Sequence, residues 1–436
     1  MKTQPTFREA FEFWLKLGFI SFGGPAGQIA IMHEYLVEKK KWISESKFLH
    51  ALSFCMILPG PEAQQLATYI GWLMHGKKGG LTAGILFVLP SMFILLGLSV
   101  IYLRYGNIPW VLAIFNGLKP AVIAIVVLAL IKIARKSIKN IFHLLIAFSA
   151  FIGIFFFNIS FPVIIISALL VAAIVRYFFT HLFIKRTKEV DANSKDEENY
   201  FINAHTKSTY MELHPKEIIR DLFLAVVFWI FPLLLFRMLI NDFQFWKTLV
   251  LFFTKAAFFT FGGAYAVLPY VAQVSVEKLK WLTDLQMIDG LALGETTPGP
   301  LIMVLAFVGF MAGSGHYQNS ITMGALGLVT TTFYTFLPSF VFIFIGAPFI
   351  EKTQENKSIR QILEIVTAAV VGVVLNLTLY LSKAVLFPSK QMTMEVDFIS
   401  LAWIIISFIA MYRYKLNMIL WIAISALFGL LLYLIN

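Results

Sequence analysis

Phe13-Trp-Leu-Lys-Leu-Gly-Phe-Ile-Ser-Phe-Gly-Gly24 is answered 239 residues later by Phe252-Phe-Thr-Lys-Ala-Ala-Phe-Phe-Thr-Phe-Gly-Gly263. The same offset lays Pro59-Gly60-Pro61 on Pro298-Gly299-Pro300, and Val37-Glu38-Lys39-Lys40-Lys41-Trp42 on Val276-Glu277-Lys278-Leu279-Lys280-Trp281. A slip to offset 248 then aligns Leu89-Pro90-Ser91 with Leu337-Pro338-Ser339. Matches kept in order at one offset mark a repeated unit and do not arise from composition.

What surrounds these motifs decides the class. The 436 residues are 59% hydrophobic and 14% charged, with a mean hydropathy of +0.80, whereas a soluble domain carries about 25% charged residues. Apolar runs of bilayer length, roughly 20 residues, recur near 7–32, 48–74, 81–105, 110–133, 141–158 and 161–184, then near 222–240, 245–271, 285–312, 321–350, 359–382, 398–412 and 416–435. The expected fold is an all-α integral membrane protein with about 13 transmembrane helices, within a range of 10–14 because glycine-rich spans can re-enter. Residues 1–184 form the first repeat and 217–436 the second, joined by a polar, solvated linker at 185–216. Counterparts lie seven spans apart, and an odd separation turns the second copy upside down, so the repeat is expected to be of the inverted type.

The net charge of +11 sits mainly at span ends and in loops, where it reads as a topology signal and not as a nucleic-acid surface. With alternating spans, 22 loop and span-end cations lie on the side of the N-terminus and linker against 9 on the other. This bias predicts a cytoplasmic N-terminus and linker in the plasma (inner) membrane of a prokaryote. The exception is the first loop, whose Lys39, Lys40, Lys41 and Lys47 fall outside. The N-terminus lacks a signal-peptide cleavage pattern, and the first apolar run is expected to be retained as a helix. One cysteine, Cys55, and eight scattered His offer no disulfide and no ligand spacing, so no metal or other cofactor is expected.

Pro59-Gly60-Pro61 and Pro298-Gly299-Pro300 sit inside apolar spans, where proline removes a donor and glycine gives no stiffness. Each is expected to break its helix, and two matched breaks point to a central site. Simple packing kinks are the alternative. Phe22-Gly23-Gly24 and Phe261-Gly262-Gly263 read as further breaks whose N–H groups face an anion, or as close helix contacts through small residues. Lys16 and Lys255 precede these glycines by six residues, deep enough to need a partner or a substrate anion, unless they snorkel. Lys119, in Gly117-Leu118-Lys119-Pro120, is a third candidate. Glu62 follows the first PGP and Glu295 precedes the second, which makes them proton-coupling candidates. Ser21, Gln64, Gln65, Thr260, Thr296 and Thr297 offer neutral groups that line a path or bond neighbouring helices.

At these residues the sequence resembles the chromate ion transporter family in its long form with two fused halves. The stretches that carry the resemblance are Lys16 to Gly27, Leu58-Pro-Gly-Pro-Glu-Ala-Gln-Gln-Leu-Ala-Thr-Tyr-Ile-Gly71 and Glu295-Thr-Thr-Pro-Gly-Pro-Leu301. The resemblance implies outward transport of chromate, with sulfate as a competitor, and chromate resistance. It places the family's signature positions on Lys16, Phe22 to Gly24, Pro59 to Pro61, Phe261 to Gly263 and Pro298 to Pro300. The residues alone do not choose chromate over phosphate or sulfate. They favour a secondary transporter over an ATP-driven one, because the nearest approach to a P-loop, Gly71 to Lys78, lacks its Ser or Thr. A passive anion channel shares the lysines and broken helices. An enzyme is disfavoured because no recognisable catalytic motif appears, and a purely structural protein leaves the paired lysines unexplained. The expected partners are a small oxyanion and the lipid bilayer, with a homo-oligomer compatible and nucleic acid excluded.

Overall fold

The computed structural model describes residues 4–22, 24–178, 199–203, 206, 215–240, 242–352, 357–387 and 396–435. Gly23 and most of the 185–216 linker therefore lie outside the described residues. Sixteen α-helices follow in order among them: α1 (Phe7–Ile20), α2 (Gly24–His33), α3 (Glu45–Cys55), α4 (Glu62–Tyr105), α5 (Pro109–Ser137), α6 (Ile141–Phe155), α7 (Phe161–Phe178), α8 (Pro215–Leu239), α9 (Phe243–Phe259), α10 (Ala264–Gln273), α11 (Asp284–Thr296), α12 (Val304–His316), α13 (Ile321–Lys352), α14 (Lys357–Leu386), α15 (Phe398–Tyr412) and α16 (Met418–Ile435). Six described helices are long and apolar enough to cross a bilayer, among them α5, α8 and α16. The all-helical membrane class expected from composition is the class observed.

The repeat extends to fine detail. Short π-helical turns at Glu34–Lys39 and Val274–Lys278 are followed, two residues on, by Lys41 (φ 53°) and Lys280 (φ 51°), each in a left-handed conformation. The tryptophans that follow donate their backbone N–H to Leu36 and Ser275 at 2.8 Å in both copies. Their rings lie against Phe13 and Phe252, with centroids 5.9 and 5.5 Å apart. Ser44 caps α3 and its counterpart Thr283 caps α11, so the VEKxKW loop ends at the same N-cap twice.

The four motif-bearing runs do contain broken helices, and each break is a reversal. Phe13 of α1 stacks on Tyr35 at 4.2 Å, beyond the end of α2, so the two elements run back along each other. Phe54 meets Tyr69 across the Pro59-Gly60-Pro61 turn, and Gly290 faces Phe307 across the second PGP. Helices α1, α2, α3 and α11 have 10 to 14 residues, or about 15–21 Å at 1.5 Å per residue. They are too short for a core of about 30 Å. The first half therefore dips in with two hairpins, α1/α2 and α3/α4, and the second half with α9/α10 and α11/α12. Helix α4 is itself folded at His75–Gly76, where Gly76 has φ 62°. Ala83 then lies against Gly71, although residues 12 apart on a straight helix are about 18 Å apart. Its arm 62–74 closes the second hairpin and its arm 77–105 crosses.

Contacts fix which ends share a face. Gln4 donates to Met74 O at 2.9 Å, His75 bonds Pro5 O, Lys77 pairs with Asp221 of α8 at 2.6 Å, and Ile202 forms a parallel bridge with Ile43. On the opposite face Asp242 pairs with His316 at 2.5 Å and Trp246 donates to Tyr317 at 3.0 Å. Counterpart helices run antiparallel: Gly80 and Gly84 of α4 pack on Phe344 and Phe340 of α13, respectively. Likewise Lys139, just past α5, reaches Glu364 near the start of α14 at 2.6 Å. The halves are inverted, as the span count predicts, and the odd crossing between them is α8.

One expectation is corrected. The first loop does not lie opposite the linker: Ser44 N–H donates to Ile202 O and Ile202 N–H to Trp42 O, at 2.8 and 2.9 Å. The run 7–32 has the length of one crossing, whereas it returns to its starting face. Reassigning that loop and its counterpart moves Lys39, Lys40, Lys41 and Lys47 to the linker side and Lys278 and Lys280 away from it. The bias steepens to 24 cations against 7, and the charge exception disappears.

Candidate functional site

The hairpin tips of the two halves meet. Gly60 N–H donates to Thr260 O and Gly299 N–H donates to Ser21 O, both at 2.7 Å. Each PGP turn is thus bonded to the FGG turn of the other half. Because the first pair of hairpins starts from the linker face and the second from the opposite face, this junction lies at mid-depth.

The glycines are needed for conformation. Gly24, Gly60, Gly262, Gly263 and Gly299 have φ of 67°, 128°, 82°, 94° and 101°, a region L-residues rarely adopt. Pro61, Gly263 and Pro300 directly precede the helical segments that start at Glu62, Ala264 and Leu301, and Gly24 itself begins α2. Four helix N-termini, with their positive dipole ends, therefore converge on the junction.

Side chains lock the turns. Gln65 Nε2 donates to Pro59 O at 2.7 Å, Ser91 Oγ donates to Pro298 O, and Gln28 Nε2 donates to Gly299 O at 2.5 Å. Ser339, the counterpart of Ser91, stands beside Gly60. Sequence reading had aligned Ser91 and Ser339 only as repeat markers, and Gln28 carried no motif. The Oε1 atoms of Gln28, Gln64 and Gln65 are buried without a hydrogen-bond partner among the described residues. Several expected path-lining hydroxyls are turned back onto their own helices: Ser21 to Leu17 O, Thr260 to Ala256 O, and both Thr296 and Thr297 to Leu293 O. They close helix ends and satisfy carbonyls that would otherwise be orphaned. Phe22 and Phe261 are half-buried beside the turns.

The two acids converge on the second FGG turn. Glu62, first residue of α4, approaches Gly263. Glu295 is buried and accepts a hydrogen bond from Tyr265, two residues past Gly263, at 2.6 Å. Lys136 and Lys132 of α5 supply the cationic field at Glu62 and Glu295, respectively, and Lys136 also contacts Met56 before the first PGP. Counting these lysines as span-end topology signals hid them from the sequence reading.

The three lysines expected at the site separate. Lys16 is exposed on the outer face of α1. Lys255 lines a cavity of about 380 Å³ with Lys278, Gln273, Tyr270, Ser160 and Phe259. Phe259, which adjoins Thr260 in sequence, is the lining residue next to the FGG turn. Lys119 is buried and committed to Asp289 at 3.6 Å.

A family model described as chromate transporter matches residues 8–175 and 247–430. The chain is 30% identical over 434 residues to a chromate transport protein of Pseudomonas aeruginosa, covering 98% of this chain and 93% of that one. It is 27% identical over 433 residues to a chromate transport protein of Cupriavidus metallidurans, covering 99% and 95%. An uncharacterized transporter of Bacillus subtilis, YwrB, is 26% identical over 161 residues, 37% of this chain and 78% of its own length. No solved structure matches the chain.

Proposed function

Because this chain belongs to the chromate transporter family, we propose that it carries chromate, or a sulfate-like dianion that competes with it, through the junction of the four hairpin tips, exporting chromate and conferring resistance. The observation that supports this most is the reciprocal pair of bonds from Gly60 to Thr260 and from Gly299 to Ser21. It sets helix N-termini from both faces around one point, an arrangement suited to an anion stripped of part of its water. On this reading the substrate is held among Phe22 to Gly24, Pro59 to Pro61, Phe261 to Gly263 and Pro298 to Pro300, with Gln64 and Gln65 beside the first PGP. Lys255 draws it into the cavity on one face, and Lys16 acts from α1. Glu62 and Glu295 flank the second FGG turn as proton-coupling groups.

On this reading transport is secondary active, which is supported by the segment Gly71 to Lys78 folding as the reversal of α4. Rocking of one inverted half against the other opens the junction to each face in turn. The cation bias supports a cytoplasmic linker and N-terminus on this reading, with the protein in the plasma membrane of a prokaryotic cell. The test is chromate and sulfate flux in proteoliposomes for the wild type, Lys16→Ala and Lys255→Ala. Reduced flux in the variants supports the anion site, and normal flux in both folded variants overturns it. A passive channel is the second reading, favoured by the exposure of Lys16. Concentrative uptake that stops when the ion gradient is collapsed excludes it.

A further inference from the structure

Lys119 of α5 and Asp289 of α11 form an ion pair inside the membrane, Nζ to Oδ1 3.6 Å, with side chains 7% and 5% exposed. Tyr102 of α4 donates to Asp289 Oδ2 at 2.8 Å, and Lys119 donates to Asn116 Oδ1 at 3.0 Å. Apart from the ion pair with Lys119, Asp289 Oδ1 has no hydrogen-bond partner among the described residues although it is buried. Removing two charges from water costs several kcal/mol per ion, so a pair kept in an apolar core calls for a role. Folding alone does not supply one: the repeat-related site, with His50 for Asp289, Thr367 for Lys119 and Ile350 for Tyr102, packs the same elements with no such acid–lysine pair. The pair also bridges the halves, since Lys119 and Tyr102 belong to the first and Asp289 to the second.

The geometry points to Asp289 as a proton-binding site of the transport cycle, with Lys119 as its counter-charge and Tyr102 as its hydrogen-bond donor. This rests on the transport reading above. The charged and titratable groups that face it are Lys119 from α5 and Tyr102 from α4. On its own helix, Asp284 is engaged by Tyr380 and Glu295 by Tyr265. A proton taken from water onto Oδ1 converts the carboxylate to the neutral acid and removes the attraction that ties α11 to α5. Helix α11 carries Glu295 and leads directly into Pro298-Gly299-Pro300, so loading the proton frees the second PGP tip to move against the first half. The site thereby links proton uptake to the rocking step, with Oδ1, the carboxylate oxygen that Tyr102 leaves unbonded, as the atom that takes the proton.

The experiment uses the purified full chain, with infrared difference spectra recorded across a pH series and sulfate flux in proteoliposomes under an imposed pH gradient. The expected result is a carboxylic-acid carbonyl band that grows on acidification and is missing in Asp289→Asn. Gradient-driven flux in that variant falls tenfold or more, and Asp289→Glu restores the pH dependence with a displaced midpoint. Tyr102→Phe keeps both charges and removes one donor to the carboxylate, so the band's midpoint moves to higher pH, which serves if Asp289→Asn does not fold. A band unchanged in Asp289→Asn, or a wild-type gradient response in that folded variant, or an unmoved midpoint in Tyr102→Phe, overturns the proposal. A wild type that moves no oxyanion sinks the transport reading instead, and the band still decides the proton site.

Discussion

Replacing Gly60 by alanine attacks the junction at one atom. Gly60 sits at φ 128°, where a residue with a side chain carries about 1–3 kcal/mol of backbone strain. The added Cβ falls 2.6 Å from Ser339 Oγ and 2.6 Å from Gln65 Nε2, so both flexible side chains must turn away. Gln65 then gives up its bond to Pro59 O, worth about 1 kcal/mol. Together about 2–4 kcal/mol falls on the conformation in which the first PGP touches Thr260, a change of roughly 30- to 700-fold in its population. Gly97→Ala is the control: nothing stands within 4 Å of its added Cβ on α4, and helix-interior alanine gains about 0.5–1 kcal/mol over glycine. The assay is thermal unfolding in detergent together with oxyanion flux in proteoliposomes. Gly60→Ala is expected to melt lower and transport far more slowly than Gly97→Ala. If the two variants behave alike in both measurements, the tips do not form the contact described.

Two further predictions concern the faces of the molecule. Asp242 caps α9 and its carboxyl is held below the usual carboxylate range, first by the hydrogen bond from His316 and then by the Phe245 N–H. A depressed carboxyl contributes stability above its unfolded pKa and loses it as pH falls through the folded value. Asp242→Asn is therefore expected to melt lower than wild type at neutral pH, with the gap narrowing progressively as pH falls below about 4, and a gap that stays constant or widens through the acid titration contradicts this. Ile202 is 1% exposed and its backbone bonds the loop at Trp42 and Ser44. Ile202→Asp puts a charge into that apolar contact, so hydrogen exchange at the Ser44 amide should rise sharply, and unchanged exchange means the linker segment does not dock there.

The repeat, its inversion and the breaks at FGG and PGP could be read from the chain because each depends on local signals: ordered motif matches, and proline or glycine where a helix would otherwise continue. The reversals could not. An apolar run of 26 residues from Phe7 to Met32 has the composition of one span, and only the stacking of Phe13 on Tyr35 shows that it doubles back. The error in the side of Lys39, Lys40 and Lys41 follows from that alone, yet inversion survived because each half holds two such runs and their miscounting cancels. The site was legible in its backbone and less so in its side chains. Glycines at positive φ announce themselves by residue type, whereas Ser21 and Thr260 are matched hydroxyls whose role is to satisfy their own helix carbonyls. Asp289 has no motif, and its pairing with Lys119 is a tertiary contact across 170 residues that no local pattern encodes.

Everything above depends on hairpins that enter from opposite faces. Lys39→Cys and its counterpart Lys278→Cys, each in a chain whose buried Cys55 is replaced by alanine, test that directly with a membrane-impermeant thiol reagent applied to one side of sealed vesicles. The account predicts labelling of the two positions from opposite sides, with Lys39→Cys on the side of the N-terminus and linker. Labelling of both from one side contradicts it.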